Sequence, residues 1–169
     1  MAITYEPIAT TTLGSNAADI TFSSISGTYT DLVLVVTAQQ VTSGEDLALQ
    51  FNSDTASNYS RTYLCGDGST GHSGRSNSAT YIILDHHATP PTTTSFGVAT
   101  INIQNYSNTT TYKTTISRAN SLDATYAGTV ANVGLWRSTS AITAVKIFCT
   151  NSSNLKTGTV ATLYGIKSA

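Results

Sequence analysis

The chain has 169 residues, a mass of 17.7 kDa and a formal charge of −1 at neutral pH, so it reads as one domain long enough to bury a core without staples. Charged residues make up 10%, while Ser and Thr supply about three residues in ten, which gives a surface solvated by hydroxyls. The eight Lys and Arg are scattered, which excludes the clustered positive footprint of a nucleic-acid binder, and the longest apolar run, Leu32–Val36, is far too short to span a bilayer.

Residues 1–13 read as an extended N-terminal arm that either contacts a neighbouring chain or folds along its own sheet. Pro7 excludes a central strand position there. Met1-Ala-Ile-Thr-Tyr5 has neither the basic region nor the apolar core of a signal peptide, so synthesis in a cytoplasm is expected. Residues 14–169 read as a single domain. Ala18–Ile25 alternates and predicts a strand, with Ser26-Gly27 as its turn. Asp31–Ala38 is apolar on both sides, the mark of a strand covered on two faces and the best candidate for a central one. Leu47, Leu49 and Phe51 alternate with Ala48 and Gln50, which predicts a strand with one wet face.

Arg61–Cys65 predicts a short strand, and Gly66–Gly74, with four glycines in nine residues, predicts a mobile loop. Thr80–Asp85 reads as a strand ended by His86-His87 and the Pro90-Pro91 breaker. Phe96–Ile103 and Tyr112–Ser117 read as partners, and Ala124–Trp136 as a strand that Gly128 and Gly134 would bend. Around Ile142, Val145, Ile147 and Cys149 the alternation slips at Ala144-Val145, which predicts a bulge or burial on two sides. Val160, Leu163 and Ile166 close the chain, and the turn chemistry of Thr150–Asn154 predicts a hairpin-like pair in the core. About ten short strands and no helix longer than one or two turns define an all-β, antiparallel β-sandwich or barrel.

The candidate chemistry is sparse. Asn52, Asp54 and Asn58 space oxygens as a calcium loop does, but with one carboxylate a loop held by its own side-chain hydrogen bonds is preferred. His86 and His87 beside Asp85 point to opposite faces if extended, so they would share a metal only where a trimer axis gathers three copies. Gly71-His72-Ser73-Gly74 is one residue short of a serine-hydrolase elbow, and no Walker lysine follows the glycines. No cofactor, metal or catalytic group is therefore expected, and the chain is read as a non-enzyme. Cys65 and Cys149 are either buried thiols or one bridge. The sequons at Asn58, Asn105, Asn108 and Asn151 occur about as often as chance gives. Nine tyrosines against one Trp suit subunit interfaces or sugar-binding surfaces, or they close the ends of the sandwich.

Three segments carry a family likeness. Leu49–Ser60 (LQFNSDTASNYS), Ile101–Thr114 (INIQNYSNTTTYKT) and Gly134–Ile166, which opens GLWRSTSAITAVKIF and closes GTVATLYGI, resemble a family of tailed-phage virion structural proteins. Its members pair an N-x-D-x-x-x-N-Y segment with a Y-x-N-x-x-x-Y-K-T segment and end in L-Y-G-I. The resemblance covers most of the chain beyond about residue 20. It implies a β-sandwich particle component and favours a jelly roll among the sandwiches.

On that basis the expected role is a capsid decoration or cement protein on the virion surface, a homotrimer bound to the major capsid protein. Neither nucleic acid nor membrane is an expected partner. The alternative is a tail-fibre or baseplate adhesin whose loops bind a host glycan. The expected interface residues are Tyr5 and Pro7 on the arm, Tyr59 and Tyr106 inside the shared motifs, and His86 and His87.

Overall fold

Thr, Val and Ile alternate with small polar residues along most of the chain, and side chains of that kind fit a pleated, half-buried surface. The computed structural model, which describes residues 4–42, 46–85, 94–122 and 127–167, is built from strands alone apart from one 3₁₀ turn at Thr150–Ser152. The strands are β1 (Tyr5–Thr12), β2 (Asp19–Phe22), β3 (Asp31–Ala38), β4 (Leu47–Phe51), β5 (Tyr59–Gly66) and β6 (Gly71–Ala79). They continue with β7 (Ile82–Ile83), β8 (Gly97–Gln104), β9 (Lys113–Leu122), β10 (Ala127–Trp136), β11 (Val145–Cys149) and β12 (Val160–Ile166). Two antiparallel sheets face each other: an eight-stranded one in the order β1-β12-β3-β8-β9-β10-β5-β6, and a four-stranded one in the order β2-β11-β4-β7. This is the expected antiparallel β-sandwich.

Between the sheets lie Leu32, Leu34, Val36, Ile101, Ile103 and Leu163 from the large sheet, against Ile20, Phe22, Leu49, Phe51, Val145 and Ile147 from the small one. Full burial of each such side chain is worth about 1.5–3 kcal/mol, so this layer is the principal source of stability. β3 has the bounds its apolar run predicts and lies inside the large sheet between β12 and β8.

Of the two readings of the arm, folding along its own sheet holds; several other expectations are corrected. The arm is an edge strand: β1 pairs with β12 from Tyr5↔Ile166 to Thr12↔Val160, with an irregularity between Pro7 and Ala9 where the imino residue lies. β4 has no wet face, because β11 and β7 flank it and all five of its residues are buried. The glycine loop shrinks to a turn at 67–70, after which Gly71–Ala79 forms the nine-residue edge strand β6. Asp67 makes that turn by accepting from the backbone N–H groups of Ser69 (2.8 Å) and Thr70 (2.7 Å), with Gly68 at φ +90.

β10 keeps register with β9 throughout its length, with no bulge at its glycines. Gly134 is there because a Cβ would come 2.5 Å from Thr115 Oγ1 and 2.8 Å from Ile82 Cδ1. β11 and β12 do not pair as a hairpin, since they belong to different sheets. The chain crosses between them through the 3₁₀ turn and a stretch in which Leu155 bridges both Ala17 and Gln40. Of the two readings of the cysteines, the buried thiols hold: Cys65 and Cys149 are both buried and neither is in a disulfide.

Candidate interaction face

The small sheet covers one face of the large sheet, which leaves the other face outward. Directly opposed residues of an antiparallel pair share a face, so the registers place its side chains in rows. One row crosses all eight strands: Pro7, Tyr164, Val33, Asn102, Ile116, Val133, Thr62 and Arg75. The next runs Thr10, Thr162, Val35, Thr100, Arg118, Ala131, Leu64 and Ser73. On the other side of the first row lie Tyr5, Ile166 and Asp31, and, further across, Gln104, Thr114 and Leu135.

The apolar members of this face cluster. Ile116 (47% exposed) is directly opposite Val133 (54%), and Leu64 (64%) lies on the adjoining strand. With Thr62 and Ala131 they line a shallow depression of about 190 Å³. Charge on the rows is confined to Arg118 within the face, Asp31 near one end and Arg75 on the edge strand. The surface is broad, hydroxyl-rich and nearly uncharged. It has the means to bind another surface by area and shape, with few ionised groups to desolvate.

Behind this face, the inward side of β9, β10 and β5 carries buried polar groups beside Ala119, Val130, Tyr59 and Trp136. Arg61 donates through Nη1 to the carbonyls of Ile83 (3.0 Å) and Asp85 (2.6 Å), and Asn132 Nδ2 donates to that of Leu84 (2.7 Å). The Asp85 carboxylate accepts the Leu47 N–H at 3.0 and 3.1 Å. Burial pushes the Asp85 carboxyl well above the usual range, nearby Asp46 adds to the rise, and the Leu47 N–H and Arg61 oppose it. Burial likewise lowers Arg61, against the pull of Asp46 and Asp85. This cluster fastens the irregular segment 82–85 to the sheet.

The expected interface residues divide. Tyr5 is 58% exposed and Pro7 is exposed too; both lie at the β1 end of the outward face. Tyr59 and Tyr106 are fully buried, which corrects their assignment to an interface. The Tyr59 hydroxyl accepts from the Phe51 N–H (3.1 Å) and donates to the Phe51 carbonyl (3.2 Å). The Tyr106 hydroxyl donates to the Ser26 carbonyl and accepts from the Tyr29 N–H (3.3 Å). Their polar tips satisfy backbone groups inside the protein. His86 and His87 lie outside the described residues.

The motif asparagines and aspartate are likewise committed inward. Asn52 Oδ1 accepts from the N–H groups of Thr143 (2.8 Å) and Ala144 (3.0 Å), and its Nδ2 donates to the Ala141 carbonyl (2.8 Å). Asp54 Oδ2 accepts from Trp136 Nε1 (2.7 Å) and Asn58 Nδ2 (2.9 Å). These two bonds, Asn58 first, hold the Asp54 carboxyl below its ordinary value against some desolvation. Loop 52–58 is thus tied by its own side chains to β10 and to 141–144. Lys113, from the second motif, is buried and donates to the carbonyls of Thr111 (2.7 Å) and Thr139 (3.2 Å). His72 and Ser73 are consecutive residues of β6 and so point to opposite sides.

Sequence reading missed Ile116, Val133 and Leu64 as a group, since only the register of three separate strands joins them. No family model matches the chain, and no curated protein matches it.

Proposed function

We propose that the chain is a non-enzymatic structural component of a tailed-phage virion, and within that class a decoration or cement protein of the head. The observation that carries the reading is the outward face of the large sheet: eight strands wide, rich in Thr and Val, and nearly free of charge. A protein bound to the major capsid protein across several subunits would favour the assembled shell by mass action, and it needs such area more than a cleft. The winding supports a jelly roll. Setting aside β5-β6 and β9-β10, the remaining strands run β1-β12-β3-β8 against β2-β11-β4-β7, with the chain crossing between sheets at β1–β2, β2–β3, β3–β4, β7–β8, β8–β11 and β11–β12. The three motifs add the phage likeness, and their residues serve as the clamps of that fold.

The test compares particles assembled with and without the chain under heat and low salt, with DNA release as the readout. Earlier release from particles lacking it is the expected result, together with immunogold label spread over the head. Equal release would remove the cement role, and label confined to the tail tip would replace it with the glycan-binding adhesin.

A further inference from the structure

We propose that the outward face of the large sheet, centred on Ile116, Val133 and Leu64, seats a second copy of this chain, sheet against sheet. The proposal goes beyond the particle reading because it concerns the free protein. Single exposed apolar residues are ordinary on any surface. Here three of them, each about half exposed or more, occupy adjoining strands.

Area names the occupant. Eight strands about 4.8 Å apart and about seven residues long at about 3.3 Å each make a face of roughly 900 Å². A stable interface needs about 800 Å² per partner, so the whole face is of the right size and the central patch alone falls short. A face of this size matches the same face of another copy in area. Thr100, Asn102, Asn120 and Thr129 both donate and accept hydrogen bonds, so the polar part of the face can pair with itself.

Asp31 and Arg118 lie in the rows on either side of the row that holds Ile116 and Val133. An isologous axis along that central row lays the Asp31 row of one copy over the Arg118 row of the other with the two side chains two strands apart, and sets Arg75, at the sheet's edge, against its symmetry mate, so the charges do not select the pairing. A strongly charged partner would find little on this face to read.

The test is the mass of the purified full chain by sedimentation equilibrium across a concentration series. Twice 17.7 kDa is expected. The double variant Ile116→Lys/Val133→Lys is expected to weaken the dimer by at least about 30-fold, as charges set at the centre of an interface do. Leu64→Lys, at the most exposed of the three positions, is an independent second variant that leaves the core untouched. Tyr112→Lys, 55% exposed in the turn before β9, is the control and stays dimeric. Circular dichroism confirms that each variant is folded. A mass of one chain or of three, or a dimer that survives both the double variant and Leu64→Lys, overturns the proposal.

Discussion

Four strands of the large sheet, β1, β12, β3 and β8, lie over the small sheet and meet it through aliphatic side chains. The neighbouring strands β9, β10 and β5 turn Lys113, Thr115, Ser117, Asn132 and Arg61 to the same side, all of them buried. The difference follows from what each half has to cover. The first half faces regular strands whose backbone groups already pair, so apolar side chains fit. The second half faces 82–85, where β7 is only two residues long and the carbonyls of Ile83, Leu84 and Asp85 take donors from side chains. Each such bond nets about 1 kcal/mol, less than a buried Leu contributes, so the polar half should open first.

The two halves are coupled where Trp136 ends β10. Its ring lies 6.2 Å from that of Tyr59 and 5.6 Å from that of Phe51, and its N–H is held by Asp54. Trp136→Ala empties this joint and unties loop 52–58, so it has the largest expected effect, a loss of about 3–5 kcal/mol in urea unfolding. A loss below about 1 kcal/mol would mean that the halves are coupled elsewhere.

The same contrast explains what was legible in the sequence. β3 declares itself because a strand between two others, over an apolar layer, reads as a continuous apolar run. β6 is silent, because Gly71–Ala79 becomes a strand through its register with β5 and the Asp67 turn rather than through composition. Tyr59 and Tyr106 are visible as amphipathic residues, but whether a hydroxyl serves a partner or the protein's own backbone is decided by packing. The outward face could not be read at all: Leu64, Ile116 and Val133 come from distant segments, and each looks alone like an ordinary strand residue. Arg61, between Ser60 and Thr62, hides for the same reason.

Acidity separates the halves further, because Asp85 belongs to the polar one. A carboxyl whose pKa is raised on folding holds its proton more tightly in the native state. Asp85 therefore contributes most at and below the ordinary value of 3.8, and its contribution falls as pH rises toward the raised native value. Asp85→Asn keeps an oxygen for the Leu47 N–H and removes the titration. The variant is expected to lose less stability than the wild type between pH 4 and pH 8, by urea unfolding across that range. The difference between the two proteins isolates Asp85 from Asp54 and Asp67, whose values are lowered and which act in the opposite sense in acid. The effect is smaller than that of Trp136→Ala. Parallel pH profiles would mean that Asp85 keeps its charge when buried and that Arg61 fully offsets it.

The smallest expected effect lies at the outer edge of the apolar half. Lys167 Nζ and Glu6 Oε2 are 2.5 Å apart, with side chains 49% and 40% exposed, and the Lys167 ammonium also lies 5.6 Å from the centre of the Tyr29 ring. The pair looks like the clasp that fastens β1, yet water and salt screen it, and holding two long side chains in place costs entropy. β1 has a stronger attachment in its ladder to β12 and in Ile8, which packs against the core. Glu6→Gln is expected to lower the melting temperature by about 1 °C or less, with the difference vanishing in about 1 M salt. A drop of about 4 °C or more would show that β1 is held by charge, and then even the apolar half would owe its outermost strand to a polar contact.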